Sequence, residues 1–96
     1  MRIELASLVK VLDVLIEDIR ATTGKDSIEI EEDLYWEVGA DDRFDLTRTP
    51  EQLSVGQLTH DWERLATILD GSRPPIGYAL TWLASVLGAV GPKVDQ

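Results

Sequence analysis

The stretch DSIEIEEDLYWEVGADDRFD, Asp26 to Asp45, decides how the rest of the chain is read. It holds nine of the 18 acids (Asp26, Glu29, Glu31, Glu32, Asp33, Glu37, Asp41, Asp42 and Asp45) and a single base, Arg43, for a net charge of −8. The rest of the chain carries nine acids and eight bases. Leu34, Tyr35, Trp36, Val38 and Phe44 are interleaved with these carboxylates. Solvated acidic tails rarely carry so many large apolar groups. The stretch therefore reads as a folded acidic surface with aromatic anchors. Ile28, Ile30, Leu34, Trp36 and Val38 all fall on even positions, the period of an extended chain with one apolar face. Glu32 breaks the alternation, and Gly39-Ala40-Asp41-Asp42 reads as a turn. Residues 26–46 are expected to run as an extended or loop segment, or as a short hairpin, with Trp36 and Phe44 pinning it to the body.

On either side the pattern is helical. From Glu4 to Thr22, the residues Leu5, Leu8, Val9, Leu12, Leu15, Ile16 and Ile19 follow the three- and four-residue steps of one helix face, and Gly24 supplies a stop. Pro50 suits the first turn of a short helix capped by Thr49. Ser54-Val55-Gly56-Gln57 has the form of a capping box and predicts a helix starting at Ser54. The stripe Val55, Leu58, Trp62, Leu65 and Leu69 makes Trp62 a core residue, with Gly71 and Pro74-Pro75 ending the helix. A last helix is expected from about Pro75 to Val90, and no residue from Pro74 to Pro92 is charged. The resulting expectation is a mainly α protein. It would be a small three- to four-helix bundle in one domain, residues 1–96, with the acidic segment of about 26–46 between the first and second long helices.

Composition narrows the chemistry. The chain has no cysteine and one histidine, so disulfides, thiolate catalysis and zinc–sulfur sites are excluded. A net charge of −9 argues against direct binding to nucleic acid or to an anionic membrane. Asp13, Glu17 and Asp18 interrupt the first apolar run, which argues against a secretory signal and for a cytoplasmic protein. The uncharged run of 74–92 reaches the length of a membrane span, but its prolines, glycines and hydroxyls favour a central helix or a surface covered by another chain.

The sites with a chemical reading are few. His60 lies beside Asp61 but opposite the apolar stripe, so it should be exposed and supports no catalytic triad. Asp41-Asp42-Arg43-Phe44-Asp45 places arginine where a calcium loop needs oxygen and lacks the central glycine, so no metal site is expected. Asp26-Ser27-Ile28 resembles the modified site of acyl carrier proteins, yet the residues after it alternate as a strand would. No cofactor is expected.

Leu34-Tyr35-Trp36, Asp45-Leu46, Pro50-Glu51-Gln52-Leu53, Gly56-Gln57-Leu58, Asp61-Trp62, Leu65, Gly77-Tyr78-Ala79-Leu80 and Trp82-Leu83-Ala84 together resemble a family of small bacterial proteins of unassigned function. The likeness spans about two thirds of the chain and implies a bacterial cytosolic protein without supplying an activity. Asp33-Leu34-Tyr35-Trp36 also resembles the immunity proteins of nuclease colicins, which are small, acidic and helical and set acids beside tyrosines. That pattern departs soon after the motif.

The function expected from these features is a non-enzymatic module that binds a basic partner protein, as an immunity or inhibitor protein does. The candidate binding residues are Glu31, Glu32, Asp33, Tyr35, Trp36, Glu37, Asp41, Asp42, Phe44 and Asp45. Acids would steer the encounter and rings would supply buried area. The alternative is a structural homodimer that uses the uncharged last helix, 74–92, through Tyr78, Trp82, Ser85 and Ala89, the acidic segment serving only solubility.

Overall fold

The computed structural model of the chain describes residues 1–39, 43–47, 49 and 53–94. Five elements follow in order: α1 (Leu5–Thr23), β1 (Leu34–Val38), β2 (Leu53–Gln57), α2 (Leu58–Leu69) and α3 (Ala79–Val94). The strands form a two-stranded antiparallel sheet, with Tyr35 opposite Gly56 and Trp36 opposite Val55. The fold is therefore mixed α and β, and the expected all-helical bundle of three or four helices is not what forms.

The departure begins at Ser54. Ser54-Val55-Gly56-Gln57 is strand, not a capping box, and the helix starts only at Leu58. Gly56 explains the choice. It faces Tyr35 across the sheet, and a Cβ at this position would fall within the Tyr35 ring. A glycine inside a helix costs about 1 kcal/mol relative to alanine, whereas here its bare backbone lets an aromatic ring lie across the strand. The hairpin read within 26–46 is likewise corrected: β1 pairs with residues 53–57, far outside that segment. The turn read at 39–42 and the short helix read from Pro50 lie largely outside the described residues.

Gln57 gives no side-chain cap to α2. Asp33 supplies one from the residue before β1. Its carboxylate accepts the Thr59 N–H at 2.8 Å and the Thr59 hydroxyl at 2.7 Å, and Gln57 Nε2 donates to it at 2.7 Å. The Leu58 N–H donates to the Asp33 carbonyl at 2.7 Å. One acidic residue thus ties the strand to the open donors of a helix start, where negative charge is favoured.

α3 starts later than the sequence suggests. Residues 76–81 first make tight i→i+3 bonds, from the Ala79 N–H to the Ile76 carbonyl, from Leu80 to Gly77 and from Thr81 to Tyr78. The helix then continues through Pro92 to Val94. α1 closes as expected, with Gly24 in the left-handed region at φ 69° and its N–H on the Arg20 carbonyl.

The core lies between α2 and α3. Trp82 is 7% exposed, with Ala79 buried beside it. Tyr78 meets the Trp82 ring edge-on at 6.0 Å, and the guanidinium carbons of Arg64 and Arg73 lie 5.5 and 5.7 Å from its centre. Both distances are within cation–π range. Trp62, expected in the core, is 56% exposed. The inward residue of α2 is its neighbour Asp61, one step of about 100° around the helix. α1 touches α3 but buries none of its residues. Among the described residues, no helix is long and apolar enough to cross a membrane.

Candidate partner-binding site

Alternation along β1 sends Tyr35 and Glu37 to one face of the sheet and Leu34, Trp36 and Val38 to the other. The polar-looking face is the one that packs inward. Tyr35 enters between the two helices, and its hydroxyl donates to the Asp61 Oδ2 at 2.5 Å. Asp61 is only 4% exposed. Burial, followed by the Asp61 carboxylate, holds the Tyr35 phenol above its ordinary pKa, while the Ser85 hydroxyl on α3 pulls the other way. The even-numbered face, expected to be the buried one, leaves Leu34 and Trp36 open to solvent, with Val55 of β2 beside them.

The acids of the window divide by role. Asp33 is committed to the start of α2, and the Thr59 and Gln57 hydrogen bonds hold its carboxyl below the ordinary aspartate range. Glu32 pairs with Lys93 Nζ at 3.0 Å at the far end of α3, and its carboxyl is also lowered, first by backbone hydrogen bonding and then by Lys93. Glu31 is exposed on the approach to β1, and Asp26 lies 3.6 Å from Arg20. Asp45 accepts the Thr47 N–H and hydroxyl, contacts that lower its carboxyl. Asp41 and Asp42 lie outside the described residues.

Between β1, residues 43–46 and α3 the chain leaves an open hollow, with Trp36 at its edge. Its walls are β1 from Tyr35 to Val38, Gly39, the segment Arg43 to Leu46, Thr49, Ser54, and Tyr78, Thr81, Ala84 and Ser85 of α3. Five of the expected partner-binding residues meet there: Tyr35, Trp36, Glu37, Phe44 and Asp45. Two residues of the alternative self-association set, Tyr78 and Ser85, form the opposite wall. Ala89 lies further along α3, half-buried, and Trp82 belongs to the chain's own core. The rings were expected to pin the segment down. Instead Trp36 is 72% and Phe44 86% exposed, so the body does not cover them.

The hollow thus combines Glu37, Asp45, whose carboxylate is engaged by Thr47, and one guanidinium, Arg43, with two uncovered rings. That combination suits a lysine or arginine side chain, which pairs with carboxylate and lies over aromatic faces. Among the described residues, no group of three or more carboxylates or histidines converges as a metal ion requires. His60 is exposed.

Comparison of the chain with protein families, curated proteins and solved structures found no match. The family resemblance therefore rests on the residues quoted for it.

Sequence reading did not identify the inward role of Asp61, the approach of Tyr35 to Gly56, or the α3 wall of the hollow. All three depend on long-range register. The one local signal was the phenol of Tyr35 on the odd face of a period-two strand, a group that seeks a hydrogen-bond partner when buried.

Proposed function

We propose that this protein is a non-enzymatic, cytoplasmic binding module whose acidic, ring-lined hollow receives a basic surface of another protein. The supporting observation is the exposure of Trp36 and Phe44 beside Glu37 and Asp45 on the rim of one hollow. Two large rings left in water are unfavourable for the isolated chain, and aromatic residues are the usual anchors of protein interfaces. The carboxylates steer a cationic partner toward those rings. Asp33 and Glu32 serve the fold in this reading, so the docking site is smaller than the acidic window. An inhibitor that masks a basic functional surface on its target is the concrete form of this activity.

The test is capture of proteins from a lysate of the source cell on immobilised wild-type chain and on a Trp36→Ala/Phe44→Ala variant. The reading requires a basic protein that is held by the wild type, released by salt, and not held by the variant. Equal retention on both baits refutes it.

A further inference from the structure

We propose that the apolar stripe of α1 is covered by α1 of a second copy of this chain. The proposal concerns a different surface from the partner hollow and does not depend on it. Leu5, Leu8, Val9, Leu15 and Ile16 are between 39% and 74% exposed. α1 has 19 residues, none of them buried. A helix of that length has little stability in water by itself, and protein helices are held chiefly by packing of an apolar face. Here α3 touches α1, and Leu12 and Ile19 are half-buried, but the rest of that face is open to solvent.

Surface area indicates how much covering is missing. The chain exposes 7954 Å², whereas a compact monomer of 10.7 kDa exposes about 5,500 Å². The excess of about 2,400 Å² belongs to the whole chain, with Phe44, Leu46 and Leu69 among its contributors, so α1 accounts for part of it; an obligate dimer buries roughly 1,000–2,500 Å² on each protomer. The radius of gyration agrees: 15.2 Å against about 12.5 Å for a compact chain of this length.

The pattern of the stripe selects the occupant. Leu5, Leu8, Leu12, Leu15 and Ile19 step by three, four, three and four, the a/d seam of paired helices. Val9 and Ile16 widen it to the three-in-seven face of a bundle helix. The stripe carries no charge for a basic or acidic partner to recognise. A seam that presents the same leucine ridge to its copy is self-complementary, as a two-fold contact must be. The second chain is also the one partner present whenever this helix has to fold.

The experiment is sedimentation equilibrium of the full chain, with a Leu8→Glu/Leu15→Glu variant alongside. The wild type should have about twice the 10.7 kDa chain mass, and the variant should have the chain mass while keeping the near-ultraviolet signature of Trp82 in its core. A wild type that is monomeric at the highest attainable concentration overturns the proposal. So does a dimer that survives in the variant, because its interface then lies elsewhere. If the variant does not fold, amide exchange of the wild type decides. Protection across α1 that falls on dilution supports the pairing, and protection independent of concentration overturns it.

Discussion

The Tyr35 hydroxyl on β1 and the Asp61 carboxylate on α2, 26 residues apart in sequence, meet in a 2.5 Å hydrogen bond that fixes the sheet to the helices. Asp61 is the most buried charged side chain described. A buried carboxylate deprived of its donor bears the full cost of desolvation. Tyr35→Phe should therefore destabilise the fold by about 1–3 kcal/mol, measured as a lowered urea midpoint with an unchanged slope. A change within experimental error would mean that the bond contributes nothing to the fold.

The same pair sets an alkaline limit. Tyr35 is held above its ordinary pKa of 10.0 in the fold. Its contribution to stability is complete below that value and declines as pH rises through the higher folded pKa. Wild-type stability should thus decline above about pH 10, and Tyr35→Phe should lack the part of that decline due to this phenol. Urea titrations across alkaline pH make the comparison.

Gly56→Ala places a methyl group inside the Tyr35 ring. The expected cost is about 1–3 kcal/mol, the range for overfilled packing. In the background of Tyr35→Ala the same substitution should cost much less, since the ring it strikes is gone. Additive effects in this double-mutant cycle would contradict the contact.

Asp33 makes the opposite pH prediction. Its folded pKa is lowered by Thr59 and Gln57, so its contribution is complete above the ordinary aspartate value of 3.8 and is lost as pH falls through the folded pKa. Glu32, Asp45 and Asp70 are shifted in the same direction. Asp33→Asn should weaken α2 at neutral pH and make the fold less sensitive to acid. Hydrogen exchange at the Thr59 amide should accelerate first.

The first helix was legible because its signals are local. The stripe of α1 and the stop at Gly24 depend only on neighbours in sequence. The sheet was not, because Ser54-Val55-Gly56-Gln57 satisfies a helix-start pattern and becomes strand only when β1 pairs with it. Trp62 and Asp61 show the same limit: one step around α2 exchanges a ring for a carboxylate, and the Tyr35 hydroxyl favours the carboxylate. The acidic window was visible from charge alone. Which of its members cap a helix, pair with Lys93 or line the hollow depends on contacts that spacing does not reveal.

Trp36 and Phe44 have no such structural duty. Trp36→Ala and Phe44→Ala should each change stability by no more than about 0.5 kcal/mol, because both side chains stand largely in water.

The most direct test of the binding role is the affinity of the captured basic protein for wild type and for Trp36→Ala/Phe44→Ala, measured by calorimetry at low and high salt. The account predicts a loss of at least about 2 kcal/mol in the variant, and wild-type binding that weakens steeply as salt rises. Binding of equal strength in both chains, or binding indifferent to salt, would contradict it.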